Sequence, residues 1–283
     1  MLEREPYLHR AQVAGMNIHY IMWSLDYFLA TQERLGFTSI ELWCAEPHVT
    51  LDHTGFFEAD ALANKIARHG LSVTTLCPEN CVYPYQYAAR KPLHADRSMA
   101  YFKHGIELAE VLGCRNMAIN SGWGDWDEDR EEAWKRSREH LCELASYAGE
   151  HGVRLTLESL RPQESQLVVT LADARRMIDE VDSPYLEPMV DCTAMGVAGE
   201  TLEQWFEEFG DGAIHEMHFI DGDPYGHLVW GDGNHDMAQF VRTLNDHGYD
   251  GMLGQEITDG RYYEDPAAAD ARNMKEFERF LID

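Results

Sequence analysis

The sequence predicts an α/β protein of the (β/α)8 TIM-barrel class. Eight short β-like runs alternate with segments whose apolar residues recur at helical spacing. The 283 residues suit one such barrel. No Pro/Gly/Ser-rich linker divides the chain, so residues 1–283 read as a single domain.

The first predicted strands are 16–20, 39–44, 72–76 and 116–121. In 59–69, Ala59, Leu62, Ala63 and Ile66 make one helical face, and Gly70 supplies the stop. Tyr101, Phe102, Ile106, Ala109 and Val111 do the same in 99–112, before Gly113. A longer helix is predicted over 131–151, with Trp134, Leu141, Leu144, Ala145 and Ala148 on its face and Gly152 after it. The last four predicted strands are 154–158, 186–191, 214–220 and 251–256, with helices over 171–181, 202–209, 237–247 and 266–281. A doubly wound open sheet is the alternative, but no GxGxxG follows the first strand, which weakens a dinucleotide-binding reading.

Charge narrows the function. Asp and Glu number 50 against 23 Lys and Arg, a formal net charge of −27. Nucleic acid and anionic membrane surfaces both need positive charge, so neither is an expected partner. Six scattered cysteines form no CxxC pair, which argues against a zinc knuckle. The stretch from Met1 to Pro6 has no apolar signal-peptide region, and no apolar run reaches a membrane span, so a cytoplasmic setting is expected.

The chemistry concentrates in the second half. Glu158, Asp191, His218 and Glu256 each close, or lie near the end of, one of the last four predicted strands. Function in a barrel sits at the C-terminal ends of its strands. Strand alternation puts Thr156 with Glu158, Met189 with Asp191, Glu216 with His218 and Gly254 with Glu256, while Leu155 and Leu157 face the helices. All four polar residues can therefore point inward together. An isolated acid ending a strand is ordinarily a solvated rim residue or a helix N-cap, and a lone histidine a hydrogen-bonded core residue. Four in phase on consecutive strands point instead to a metal site.

Three carboxylates and an imidazole suit Mn2+, Mg2+ or Co2+ better than structural zinc, with Zn2+ or Ni2+ as further options. Such a set leaves about two positions on an octahedral ion for adjacent substrate oxygens. The expected reaction is proton removal beside a carbonyl, through a metal-bound enediolate. Glu158 and Glu256 approach from different strands and are the expected acid/base pair.

At these residues the chain resembles the xylose-isomerase-like sugar isomerase/epimerase superfamily. The likeness is nearest to fructoselysine 3-epimerases, with ketose 3-epimerases of the tagatose and psicose type more distant. It covers nearly the whole chain, through Ile40-Glu41-Leu42-Trp43 with Pro47-His48, Pro78-Glu79-Asn80, and Tyr83-Pro84-Tyr85. It is strongest at Leu157-Glu158-Ser159-Leu160 with Pro162 and Glu164-Ser165, then Met189-Val190-Asp191, His218-Phe219-Ile220-Asp221 and Glu256. The resemblance implies that Glu158, Asp191, His218 and Glu256 bind one divalent ion, manganese among the candidates. It also implies that Glu158 and Glu256 carry out C3 epimerisation of a ketose or ketosamine, that Glu164 contacts the sugar, and that the protein is a homo-oligomer (a dimer or tetramer).

Departures from the family pattern cluster near the substrate. Strand seven reads Glu216-Met217-His218 where the family often has His-x-His, so the buried acid needs a partner or a raised pKa. The loop expected as Pro-Gly-Glu-Gly reads Trp230-Gly231-Asp232-Gly233, and Arg161 replaces a small polar residue. Arg161 could hold a carboxylate or phosphate, or pair with Glu164. Trp43, His48, Tyr83, Tyr85, Trp123 and Trp126 could wall the sugar, although each alone is ordinarily packing. His227 and His235 flank the glycine loop, and 125–132 reads as a solvated helix start. Three competing functions are a dehydratase of a cyclic polyol ketone such as an inosose, a sugar-binding barrel without turnover, and metal-dependent cleavage of abasic DNA. The net charge and the lack of further His/Asp ligands disfavour the last.

Overall fold

The computed structural model describes residues 6–81 and 85–283. Eight parallel strands close into a barrel: β1 (Val13–Met16), β2 (Ser39–Cys44), β3 (Ser72–Pro78), β4 (Asn116–Ile119), β5 (Arg154–Glu158), β6 (Leu186–Asp191), β7 (Glu216–His218) and β8 (Met252–Gln255). Each strand pairs with its sequence neighbours, and β8 closes on β1 through Val13↔Leu253 and Ala14↔Gly254. In α/β proteins a parallel sheet is covered on its faces by the crossover helices. Here those helices are α1 (Leu25–Leu35), α2 (Ala59–Arg68), α3 (Pro92–Val111), α4 (Arg130–Glu150), α5 (Leu171–Val181), α6 (Cys192–Ala198), α7 (Leu202–Phe209), α8 (Met237–Asp246) and α9 (Pro266–Phe277).

Two apolar clusters match the two faces of the strands. Leu155, Leu157, Val190, Met217 and Leu253 pack outward with the helices, while Met16, Trp43, Cys77, Ala118 and Met189 form a separate cluster. This division follows the period-2 alternation of strand side chains. The same alternation carries Glu158, Asp191 and His218 to the C-terminal rim.

The predicted strands from the second to the eighth overlap the observed ones. The first does not, apart from Met16. The strand is Val13–Met16, and Ile18–Tyr20 is a 3-10 turn. The short Val-Ala-Gly-Met run has little intrinsic β-propensity and is held by pairing on both sides. Helices α1 and α6 were not predicted. In α1 the buried set includes Thr31 and Gln32, which interrupts the apolar pattern. Gln32 donates to Asp270 of α9 at 2.6 Å, so a polar contact fixes this helix alongside its apolar ones. Helix α6 is only seven residues long, and its start is set by a side chain of the site. No helix among the described residues is long and apolar enough to cross a membrane.

Candidate metal centre

Glu158, Asp191 and His218 end their strands, and Glu256 follows β8 directly. Ligand atoms from all four lie within 4.8 Å of one another. The Nδ1 of His218 stands 2.7 Å from Glu158 Oε1, 3.1 Å from Glu256 Oε2 and 3.8 Å from Asp191 Oδ2. Three carboxylates facing one imidazole edge in a water-poor rim repel one another. That donor set fits a divalent cation, which would neutralise them.

Asp191 does two things. Its Oδ1 accepts from the backbone N–H of Thr193 and Ala194, at 2.5 and 2.9 Å, and so caps α6. Its Oδ2 turns to the site. The N-cap reading of a strand-end acid is thus correct here and compatible with a place in the cluster.

His218 is held from behind. Its Nε2 lies 3.1 Å from Glu41 Oε1, and both side chains are fully buried. A carboxylate on the far ring nitrogen fixes tautomer and ring orientation. Glu41 also shares the barrel interior with Glu216, which accepts from the Thr75 hydroxyl. Burial, with Glu41 beside it, pushes Glu216 well above the usual carboxylate range. The acid that replaces the family histidine therefore has both a partner and a raised pKa. Gly254 makes room for these acids, since a β-carbon there would overlap Glu41 and crowd Glu216.

His227 also reaches the site. It sits on a hairpin that follows β7, Asp221–Asp223 paired with Tyr225–Leu228. Its Nε2 lies 2.7 Å from Asp191 Oδ2 and 3.1 Å from Glu256 Oε2, and its Nδ1 lies 2.9 Å from Thr258 Oγ1. Asp221 anchors the hairpin by accepting from the N–H groups of Gly222, Gly231, Gly233 and His235. His235 does not line the cavity.

Burial and charge separate the protonation states of the group. Burial raises Glu158 to about 8, against the pull of His218. Burial would also raise Asp191 and Glu256, but the imidazoles of His227 and His218 hold both below the usual range. Burial would lower His227, yet Asp191 and Glu256 outweigh it and bring it to about 9. His218 is likewise held well above its ordinary value, because Glu256, Glu41 and Glu158 overcome burial.

The cluster opens into a cavity of about 190 Å3 lined by Glu158, Asp191, His227 and Glu256 together with Trp43, Glu79, Cys81, Arg161 and Glu164. Arg161 grips Glu164 with its side chain, including Nε at 2.9 Å from Oε2, and its guanidinium lies 4.3 Å from the Tyr225 ring centroid. Two of the four expected substrate contacts, Arg161 and Glu164, therefore line the cavity as one ion pair. His48 and Tyr85 do not line it. His48 is buried between Asn17 Nδ2 and Trp23 O, each 2.9 Å away. Tyr85 stacks on Tyr101 with ring centroids 3.9 Å apart, and its hydroxyl meets His53. Tyr83 lies outside the described residues.

Sequence reasoning missed Glu41 and Glu79 as site residues and placed His227 only beside the glycine loop. Glu41 was detectable, as an acid in phase with Trp43 in the otherwise apolar run 40–44. Glu79 accepts from the nearby Cys81 N–H at 3.1 Å and from Trp43 Nε1 on β2 at 2.8 Å, and the second contact has no local signature. His227 arrives through the fold of a hairpin, which spacing does not encode.

The model of the family described as xylose isomerase-like TIM barrel matches residues 29–277. Fructoselysine 3-epimerase of Shigella flexneri is 27% identical over 262 residues, covering 91% of this chain and 93% of that protein. D-psicose 3-epimerase of Enterocloster bolteae is 24% identical over 269 residues, covering 87% and 84%. The solved structure of a 3-keto-D-glucoside 4-epimerase from E. coli has a TM-score of 0.77 at 19% identity, over 95% of this chain and 98% of that one, a likeness of fold. These relatives and neighbours are epimerases. With the family model matched over most of its length, this chain belongs to the xylose isomerase-like TIM barrels.

Proposed function

We propose that this chain epimerises C3 of a ketose or ketosamine of the fructoselysine kind, with one divalent ion held by Glu158, Asp191, His218 and Glu256. The observation that carries this reading is the pair Glu158 and Glu256, one carboxyl at the end of β5 and one just after β8, which meet at one imidazole edge. A bound cation supplies polarisation of the substrate carbonyl and neutralises the carboxylates. One glutamate takes the proton from C3, and the other returns a proton to the opposite face. His218 is oriented by Glu41 and keeps the two carboxyls in register. Five acidic side chains line the cavity against His227 and an arginine already paired with Glu164, which favours an uncharged or cationic sugar over a phosphorylated one.

NMR in D2O with Mn2+-loaded protein and fructose, psicose, tagatose and fructoselysine tests this. Deuterium entering at C3 together with the C3 epimer is the expected result. Exchange at C1 with an aldose appearing would make the protein an aldose–ketose isomerase. Absence of exchange in metal-loaded protein would sink these substrates, and loss of water from an inosose would identify a dehydratase. Glu158→Gln and Glu256→Gln should each lower turnover about 10^2–10^4-fold while retaining substrate binding by calorimetry.

A further inference from the structure

A second, wider groove of about 530 Å3 adjoins the inner cavity, and Cys81 and Glu164 line both. Small-molecule sites usually occupy roughly 300–1,000 Å3. The inner cavity alone falls below that range, while the outer groove lies within it. The outer groove is lined by Trp123 and Trp126, with Asp125 and Asp127 beside them. Trp126 is 66% exposed, so its indole contributes little to the core.

The backbone that carries these indoles is tied down. Gly122 and Gly124 both take φ +67°, and the N–H groups of Trp123 and Gly124 donate to Gln86 Oε1 at 3.2 and 2.8 Å. Arg90 clamps Asp125 and Asp127 on either side of Trp126. Gln166 donates to the Asp125 carbonyl at 2.8 Å. An exposed aromatic on a fixed loop beside a reaction cavity is a preorganised stacking surface. Among the described residues that line the outer groove none is basic, which favours an uncharged stem there and leaves an anionic end to solvent.

Resting on the ketose-epimerase reading above, we infer that this groove binds the non-reacting substituent of a substituted ketose, an aliphatic stem laid over Trp126 with any charged end left in solvent. The reacting carbons occupy the inner cavity, and the substituent leaves it between Cys81 and Glu164. Free hexoses then use only the inner part of the site.

Calorimetric titration of Mn2+-loaded protein with fructose and with 1-deoxy-1-(butylamino)fructose tests the inference without requiring turnover. The wild type should bind the butylamino compound about tenfold more tightly than fructose, and Trp126→Ala should bring that ratio close to one. Equal affinities in the wild type, or a ratio retained in W126A, would overturn the subsite. C3 deuterium exchange followed in the same samples reports separately on the reaction. A tenfold preference without exchange would leave the subsite standing and remove the epimerase reading.

Discussion

At the scale of single residues, the site gathers acids around one imidazole, and its neighbours decide how they are held. Glu41 on the far nitrogen of His218 keeps Nδ1 aimed at the carboxylates. Glu41→Gln should weaken divalent-metal affinity about 10–100-fold with little change in fold, as measured by metal titration. The raised Glu158 sets a pH dependence. A carboxyl lifted to about 8 keeps its proton at neutral pH, so its contribution to stability is present at low pH and is lost as pH rises through 8. His218 also retains a proton, and both protons must leave before a metal binds. Metal affinity should therefore rise from pH 6 to pH 8 with net proton release, seen as a buffer-dependent enthalpy in calorimetry. A flat profile would mean that the ligands are already deprotonated. The four principal residues were legible in the sequence because each lies at or just beyond a strand end in a fixed phase. Glu79 was not, because its place depends on Trp43, a contact that only the folded barrel creates.

At the scale of elements, the barrel strands were more legible than the pieces that complete the site. Alternation within β5 to β8 follows from one buried and one helix-facing side, so a register error would invert every side chain. The hairpin after β7 has no such constraint, and its placement depends on one acid. Asp221 is 1% exposed and accepts the N–H of its neighbour Gly222 and three more, from Gly231, Gly233 and His235, in the loop that leads to α8. Asp221→Ala would leave those donors unsatisfied and release the hairpin that brings His227 to Asp191. The expected cost is on the order of 3 kcal/mol of stability, with at least about a tenfold fall in kcat/KM from lost positioning. Urea unfolding and steady-state kinetics on the same variant check both. A stable variant with normal kinetics would show that His227 needs no such anchor. Helix α1 was missed for a related reason, since Gln32 buries a polar contact to Asp270 where the helical pattern expects an apolar side chain.

At the scale of the whole molecule, the closed ring of strands and the net charge of −27 act together on the metal centre. Residues on β5, β6 and β7 and just after β8 converge at one rim, so a bound ion would cross-link four consecutive staves of the barrel. An anionic surface raises the local concentration of divalent cations and lowers that of phosphate esters. Without a metal the rim carboxylates are opposed chiefly by the imidazoles of His218 and His227, so chelation should loosen the barrel at this end first. A ligand that binds only the folded chain at one hundred times its Kd stabilises it by about 2.7 kcal/mol. For a chain of this size that corresponds to a rise in Tm of roughly 5 °C. The expected result is therefore a Tm that rises by about this amount when Mn2+ is added after EDTA treatment. Asp191→Asn should lose most of the rise, because it removes one ligand charge while leaving an oxygen to cap α6. A variant that kept the full shift would place the ion elsewhere. A wild type without any shift would mean that the imidazoles alone balance the rim.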